Sequence, residues 1–381
     1  MAVSGFVAPG YERVKAAFEE NFAARQELGA AFAVYRNGEP VVDLWGGVAD
    51  RASGRPWTED TLQLFYSGTK GLVATCLLML IERGRLRLDA PVATYWPEFG
   101  KPEVLVRDVV SHTARLSGID TPITVEDLFD DRKMAAILAA QARSTDPRSV
   151  LTYHGLTYGW LCGEIIRRVD GRSVGRFFAE EVAGPLGVEV WIGLPEAEEG
   201  RVSTLELASN WGEGKEDPAA AFARDPLLRS TWGNPVLFDR DRFFWNERAL
   251  HAAEVPGGNG IGTMRGIAKV YGCLATGGAP LLKSETVQLG RTELSAGYDS
   301  LNDVHWRFGV GFQLPSETIY FGPAGREVDA FGHDGAGGSH HGAWPALGIG
   351  YSYAMNRMRD DSRPNVRAQA LLEALHAAAT A

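Results

Sequence analysis

The first eighty residues combine helix-like and strand-like spacing of apolar positions. Apolar residues recur every three or four positions between 11 and 26, which predicts an amphipathic helix ending before Gly29. Two apolar stretches, 30–35 and 40–47, flank Asn37-Gly38, a dipeptide typical of hairpin turns. The pattern predicts a helix followed by an antiparallel hairpin.

The most apolar segment of the chain covers residues 72–81 and follows Ser67-Gly68-Thr69-Lys70. A helix that is apolar all round is buried, and Arg83-Gly84 is a typical helix end. The segment is too short to span a bilayer. We therefore predict a buried helix that opens near Ser67. Ser67 and Lys70 should share one face of it, because positions three apart do so.

The middle of the chain is helical in pattern, with short loops from 86 to about 187. Helices are predicted at 106–113, 125–141, 158–169 and 173–182. Between 194 and 256 the periodicity is weak, and we expect irregular structure and helices covering one side of a cleft. A further helix is predicted at 264–277.

The C-terminal part changes to short strand-like runs separated by glycine and proline. Strands are predicted at 308–314, 318–321, 328–331, 339–343 and 349–355, and a last helix at 364–379. A two-stranded hairpin is not stable by itself, so the early hairpin must pair with these late strands. This predicts an α/β plus all-α fold, an antiparallel sheet flanked by helices. Residues 1–85 and 256–381 would form the sheet domain, and 86–255 an inserted, mostly helical domain.

Composition narrows the class of protein and its partners. The 381 residues are 45% hydrophobic and 23% charged, as in soluble globular proteins. A net charge of -10 disfavours nucleic acids and anionic membranes as partners. The first ten residues have neither the basic nor the apolar region of a signal peptide, so a cytoplasmic location is expected.

Metals and cofactors are not expected from the sequence. No Glu/His pattern at helical spacing supports a zinc site. Gly258-Asn259-Gly260-Ile261-Gly262 lacks the strand-helix frame of a dinucleotide loop. The three cysteines, Cys76, Cys162 and Cys273, do not look like a disulfide framework.

Ser67 and Lys70 are the first candidates for chemistry. A serine hydroxyl becomes a nucleophile when a base takes its proton, and a lysine held neutral by burial can be that base. The free N–H groups at a helix start can stabilise a developing oxyanion. Ser-x-x-Lys also occurs by chance as a helix cap with a solvated lysine.

Two later stretches add candidates. Tyr153 lies in a loop just before a predicted helix, although an ordinary half-buried tyrosine would look the same. The glycine-rich segment 331–339 contains His333, Gly335 and Ala336, and its glycines permit a close backbone approach to a ligand. Trp211, Trp232 and Trp245 fit either an apolar acyl or alcohol pocket or simple core packing.

Taken in order, these motifs resemble the serine β-lactamase and penicillin-binding-protein superfamily. The similarity is greatest to the class C-like hydrolases, which include the family VIII carboxylesterases, and it covers nearly the whole chain. It implies a β-lactamase-like fold. It also implies that Ser67 is the acylated nucleophile and that Lys70 accepts its proton or tunes Tyr153.

The resemblance assigns the remaining roles as well. Tyr153 would be the general base and later the acid, and the N–H groups of Ser67 and Ala336 would form the oxyanion hole. His333 stands where many relatives have a lysine and would shape the field over the site, beside Gly335. Whether Lys70 or Tyr153 holds the working proton stays open, because the two would titrate as a coupled pair.

Two departures from the β-lactamase pattern shift the expected substrate. Tyr153-His154-Gly155 replaces Tyr-x-Asn, and His333-Asp334-Gly335 replaces Lys-Thr-Gly, so a fixed cation for a substrate carboxylate is missing. We therefore predict a carboxylesterase that cleaves short-chain, small-molecule esters through an acyl-enzyme. The alternatives are a weak β-lactamase, a D-amino-acid peptidase or amidase, an acyltransferase, and a scaffold relative without activity. A homo-oligomer is compatible with the sequence.

Overall fold

The computed structural model describes residues 3–209, 211–213, 215–360 and 365–381. Its α-helices are α1 Glu12–Ala24, α2 Thr69–Glu82, α3 Val106–Val110, α4 Asp131–Ala140, α5 Thr157–Asp170, α6 Val174–Phe178, α7 Gly184–Leu186, α8 Pro218–Arg224, α9 Pro226–Trp232, α10 Arg248–Ala252, α11 Met264–Ala275, α12 Ser284–Gly290 and α13 Val366–Ala379. Its strands are β1 Val3–Val7, β2 Gly29–Arg36, β3 Glu39–Asp50, β4 Arg55–Pro56, β5 Gln63–Leu64, β6 Val190–Ile192, β7 Glu206–Leu207, β8 Gly260–Gly262, β9 Ser295–Asp299, β10 Val304–Phe308, β11 Phe331–Asp334, β12 His340–Trp344, β13 Ile349–Met355 and β14 Arg357–Met358.

Short helical turns complete the description. Most are 3₁₀ turns, and one is π-helical; they lie at Val92–Thr94, Pro97–Phe99, Glu126–Phe129, Pro147–Leu151, Ala179–Ala183 (the π turn), Glu196–Arg201, Phe244–Asn246, Ala336–Gly338 and Pro345–Leu347.

Seven of the described strands form one antiparallel sheet in the order β1-β3-β2-β13-β12-β11, with β4 beside β3. The β2–β3 turn has positive φ at Asn37 (52°) and Gly38 (86°), as a two-residue hairpin requires. Strand β2 pairs with β13 in a register that places Ala33 opposite Ser352. The prediction that the early hairpin closes on the late strands is confirmed.

Helices cover both faces of the sheet. Alternate residues of β2 point to opposite sides. Phe32 and Val34 share a cluster with α1 and α13, whereas Ala33 belongs to the cluster that contains α2 and α11. Every residue of α2 from Thr69 to Leu80 is buried. Gly84, with φ 68°, follows the end of α2, so the predicted buried helix and its stop are confirmed.

Some predicted elements differ from the structure. Residues 125–141 form two helices, because Asp130 is extended and its side chain accepts the Lys133 N–H (2.9 Å), which starts α4 there. The strands predicted at 308–314 and 318–321 are wrong. The strand is β10, and beyond it Gln313 makes only isolated bridges among the described residues. Buried apolar side chains such as Ile319 and Phe321 produced the misleading pattern.

The chain termini also refine the predictions. Strand β1, at the sheet edge, was not predicted, because only three of its five residues are apolar. The last helix begins at Val366, and position 364 of the predicted helix lies outside the described residues. The division into a sheet domain and an inserted domain stays a prediction.

Candidate active site

Ser67 lies at the turn that enters α2. Tyr66 precedes it with φ 49°, a left-handed conformation that a bulky residue adopts only when its surroundings enforce it. Tyr66 is buried, and the Phe65 N–H donates to the Gly260 carbonyl (3.1 Å). The turn is therefore fixed from β8, at a distance along the chain.

Lys70 lies one helical turn after Ser67 and contacts it. Its Nζ is 3.1 Å from the Ser67 Oγ and donates to the Gly257 carbonyl at 2.7 Å. The predicted shared face of these two residues is confirmed. Lys70 has no solvent exposure, so it is not the solvated lysine of a chance motif.

Burial controls the charge of Lys70. Desolvation lowers the pKa of Lys70 to about 7, although the Asp334 carboxylate acts in the opposite direction. The Nζ also lies 4.8 Å from the ring centre of Tyr153 and 5.8 Å from that of Tyr158, and such ring faces favour a cation. Near neutral pH the amine is therefore present in both forms, and its neutral form can take a proton.

Tyr153 lies beside Lys70, in the loop between the turn Pro147–Leu151 and α5. Its side chain is almost fully buried, and its hydroxyl lies 3.5 Å from the His333 Nε2. Its backbone N–H donates to the Asp299 Oδ2 (2.9 Å). Its ring stacks on Trp306, with centres 5.1 Å apart and planes at 23°.

His333, in β11, is fully buried beside the Tyr153 hydroxyl. Its Nδ1 lies 2.6 Å from the Asp334 carbonyl oxygen. A carbonyl oxygen can only accept, so Nδ1 carries a proton. In the neutral ring Nε2 is then an acceptor that faces the tyrosine hydroxyl. The group that faces the Tyr153 hydroxyl is therefore an imidazole nitrogen.

The glycine-rich loop after β11 packs against the segment that precedes Ser67. A Cβ at Gly335 would lie 2.4 Å from the Phe65 carbonyl oxygen and 2.3 Å from the Ser339 Oγ, so only glycine fits. The Ser339 hydroxyl donates to the same carbonyl (3.2 Å). None of the hydrogen bonds between described residues uses the Ala336 N–H. The loop thus packs on the residue two positions before Ser67.

A cavity of about 680 Å³ is lined in part by this loop, from Asp334 to His340. Its lining also includes the aromatic side chains of Trp211, Phe222, Trp232 and Phe238 and charged side chains such as Lys215, Arg240 and Arg359. Ser67, Lys70 and Tyr153 are not lining residues. The Trp232 ring, 6.3 Å from that of Tyr153, connects the two regions.

The tryptophans named from the sequence divide between a cavity and the core. Trp211 and Trp232 line the cavity, whereas Trp245 is core, with its ring 4.7 Å from that of Tyr66. Trp232 also explains Gly155. A Cβ at Gly155 would lie 2.7 Å from the Trp232 ring, so no side chain fits where the tyrosine motif departs from the β-lactamase pattern.

His112 and His154 support the tyrosine loop. The His154 Nδ1 donates to the Thr152 carbonyl (2.7 Å), and its Nε2 accepts the Leu116 N–H (3.2 Å). The His112 Nδ1 accepts the His154 N–H (3.0 Å). Burial lowers the pKa of His154 to about 4 and that of His112 well below its usual value. Both rings therefore stay neutral and shape the loop.

Sequence reasoning missed two contributors to this site. The Gly257 carbonyl, which accepts a hydrogen bond from Lys70, directly precedes the glycine-rich segment 258–262, and no side chain marks such a backbone acceptor in the sequence. Asp299, which holds the Tyr153 backbone, lies between Tyr298 and Ser300 and belongs to no recognisable motif. No local signal separates it from the other aspartates.

The described part of the chain contains no group of three His, Cys, Asp or Glu side chains arranged to hold a metal ion. Among the described helices, none combines the length and the apolar character needed to cross a bilayer.

The family model described as Beta-lactamase matches residues 14–376, and the chain belongs to this family. The predicted superfamily and its fold are thereby confirmed. The chain is 34% identical over 376 residues to the esterase/beta-lactamase LipL of Mycobacterium tuberculosis, covering 93% of this chain and 83% of LipL.

Two crystal structures extend the comparison over the whole chain. A family VIII carboxylesterase is 38% identical, with a TM-score of 0.89, 99% of this chain and 100% of the other covered. A penicillin-binding protein homologue from Caulobacter crescentus is 35% identical, with the same TM-score and coverage.

Proposed function

We propose that this chain is a serine hydrolase that cleaves carboxylic esters through an acyl-enzyme on Ser67. The observation that carries the proposal is the fully buried Lys70, with a pKa of about 7 and its Nζ 3.1 Å from the Ser67 Oγ. LipL is named as an esterase, and one of the similar crystal structures is that of a family VIII carboxylesterase. Both support an ester as the substrate of this chain.

In the acylation step the neutral Lys70 amine takes the Ser67 proton while Oγ bonds to the ester carbonyl carbon. The carbonyl oxygen becomes an oxyanion, stabilised by the N–H groups of Ser67 and Ala336. One such donor is typically worth roughly 3 kcal/mol in the transition state. The bond to the alcohol oxygen then breaks, and the Tyr153 hydroxyl supplies the proton with which the alcohol leaves.

Deacylation repeats these transfers with water in the place of the alcohol. Tyr153 and Lys70, as a coupled pair, take a proton from water while its oxygen bonds to the acyl carbon. The Ser67 Oγ leaves and regains its proton, and the carboxylic acid is released. Because His333 Nε2 lies 3.5 Å from the Tyr153 hydroxyl, its neutral ring can share that proton.

The cavity wall supports a substrate with an apolar part. Trp211, Phe222, Trp232 and Phe238 offer flat apolar surface and aromatic faces, and the cationic side chains Lys215, Arg240 and Arg359 line the same cavity. We infer a short-chain acyl group at Ser67 and an apolar alcohol part in the cavity.

The cleft would separate the two predicted domains. The pairing of β2 with β13 supports a sheet domain made of residues 1–85 and 256–381. Cavity residues from both 211–240 and 334–340 support a site between it and residues 86–255. Cytoplasmic location stays a prediction, and homo-oligomer formation stays open.

The experiment is labelling with a fluorophosphonate, followed by peptide mass analysis, together with Ser67→Ala assayed on p-nitrophenyl acetate and butyrate. We expect the label on Ser67 and loss of about 10³-fold or more of kcat/KM in Ser67→Ala. Ser203→Ala, which removes a buried hydroxyl, is the control and should keep its activity. Full activity of Ser67→Ala, or a label elsewhere, would refute the proposal.

Weak β-lactamase activity is the second candidate, because LipL carries both names. Nitrocefin turnover by the same preparations tests it. We expect slow turnover that disappears in Ser67→Ala, and no turnover at all would remove this candidate while leaving the esterase proposal intact.

A further inference from the structure

Asp299 is a fully buried carboxylate at the end of β9. Its Oδ2 accepts hydrogen bonds from the Tyr153 N–H (2.9 Å), the Trp306 Nε1–H (3.0 Å) and the Asn302 Nδ2–H (2.6 Å). Its Oδ1 accepts the Leu301 N–H (3.0 Å) and the Asn302 N–H (3.3 Å). Five donors satisfy a charge whose burial would otherwise be very costly.

Two of these donor residues connect Asp299 with the Tyr153 ring and with the cavity. Trp306 stacks on the Tyr153 ring. Asn302 accepts the Trp232 Nε1–H on its own Oδ1 (3.0 Å), and Trp232 is a wall of the cavity. One carboxylate therefore reaches the Tyr153 backbone directly and the cavity wall through a single side chain.

We propose that Asp299 is a positioning residue that fixes Tyr153 and, through Asn302, sets Trp232 at a constant distance from it. The inference rests on the proposed function, in which Tyr153 moves protons. Tyr153 lies on a loop, 146 residues away from Asp299 in sequence, and loops need such anchors to hold side chains in place. A misplacement of about 1 Å can cost about 10²-fold in rate.

The two carboxylate oxygens of Asp299 have different partners, so the positioning of Tyr153 can be tested apart from the structure of the turn. Oδ1 serves the turn at 299–302, and Oδ2 serves Tyr153, Trp306 and the Asn302 side chain. In Asp299→Asn the amide oxygen can satisfy the turn, but the amide N–H₂ then faces three other donors. The substitution therefore keeps the size and the turn while it removes the anchor of Tyr153.

The experiment compares Asp299→Asn and Asn302→Ala on 1-naphthyl acetate and vinyl acetate, with kcat expressed per site labelled at the end point by fluorophosphonate. We expect Asp299→Asn to lower kcat per site about tenfold or more on both esters. Asn302→Ala frees Trp232 and removes one donor to the Asp299 Oδ2, but it leaves the bond from the Tyr153 N–H to Asp299 in place. It should raise KM for the naphthyl ester about threefold, with kcat within about twofold.

Glu82→Gln is the matched control. Its carboxylate accepts the Lys283 N–H (2.8 Å) and the Thr286 hydroxyl (2.6 Å) at the far end of α2, and the change should leave both constants unaltered. If Asp299→Asn does not fold, Trp306→Phe takes its place. It keeps an aromatic ring beside Tyr153 and removes the N–H donor, and kcat per site should fall about threefold or more.

The inference is overturned if kcat per labelled site stays within about twofold of wild type in Asp299→Asn or, where that variant does not fold, in Trp306→Phe. A merely structural role would change only the number of labelled sites. If the probe labels Ser67 and Ser67→Ala is inactive, such a result overturns the positioning role alone. If Ser67 is not labelled, the proposed function fails and this inference fails with it.

Discussion

The two halves of the site are built in different ways. Ser67 lies in the turn that enters α2 and Lys70 in the first turn of that helix, so their separation of three residues brings their polar atoms to 3.1 Å once the turn is held by β8. Tyr153 lies on a loop and is held by Asp299 and by the neighbouring His154, both through contacts far along the chain. The first half should tolerate changes elsewhere, and the second should respond in a graded way to each of its supports.

Lys70→Met tests the half of the site that contains Ser67 and Lys70, and it should have the largest effect. The substitution keeps the apolar length of the side chain but removes the proton acceptor beside Ser67. We expect kcat to fall about 10³-fold or more, measured with p-nitrophenyl butyrate. Lys101→Met, which removes another buried ammonium, from the Phe99, Leu138 and Ala139 carbonyls, is the control and should remain active. A fall of less than tenfold in Lys70→Met would contradict the base assignment.

The same substitution should change how stability depends on pH. The pKa of Lys70 is lowered to about 7 in the folded state from its usual 10.5, so the folded protein binds fewer protons than the unfolded chain between these values. Stability from this group is therefore gained as pH rises above 7. Urea unfolding at pH 7 and 9 should show a larger increase for wild type than for Lys70→Met, and equal increases would contradict the shifted pKa.

Tyr153→Phe tests the half of the site that contains Tyr153, and it keeps the aromatic ring. The phenyl ring can still stack on Trp306, but no hydroxyl faces His333. We expect kcat to fall about 10²-fold, less than for Lys70→Met, because Lys70 can still take the Ser67 proton. Tyr298→Phe, at an exposed hydroxyl that donates to Asp303, is the control. A rate equal to that of wild type would remove Tyr153 from the mechanism.

The pH profile sharpens the comparison because it reports on the proton acceptor itself. With the pKa of Lys70 at about 7, the amine becomes protonated below that value and can no longer accept a proton. We expect kcat/KM to fall about tenfold for one pH unit below the pKa. The measurement is a profile from pH 5.5 to 9 with thermal unfolding followed in parallel. A flat profile between pH 6 and 8 would contradict a working group in this range.

Arg148→Met should give the smallest effect, because Arg148 acts on Trp232 only indirectly, through Asp225 and α9. The Arg148 guanidinium forms a two-pronged pair with Asp225 (2.6 and 2.9 Å), and Asp225 caps α9, which ends at Trp232. We expect KM to rise about threefold with kcat nearly unchanged, a loss of about 0.7 kcal/mol, as for partly exposed ion pairs. Arg176→Met, at an exposed pair with Glu180, is the control, and an equal change there would contradict a specific link.

How much could be predicted from the sequence differed between elements. The hairpin at Asn37-Gly38 and the buried helix after Ser67 carried strong local signals, and both are present. Strand β1 and the true position of β10 did not, because short strands take their pairing from neighbours far away in sequence. The break before α4 depended on a cap by Asp130, a signal that the apolar period conceals.

The sequence by itself determined the contact of Ser67 with Lys70, the burial of their helix and the order of the three motifs, because each depends on spacing and composition within a few residues. Only the tertiary structure decided that Lys70 meets the Gly257 carbonyl, that Trp232 fills the space beside Gly155, and that Asp299 holds Tyr153. Such contacts join residues 77 to 187 positions apart, and no local pattern specifies which distant partner will occupy a given space.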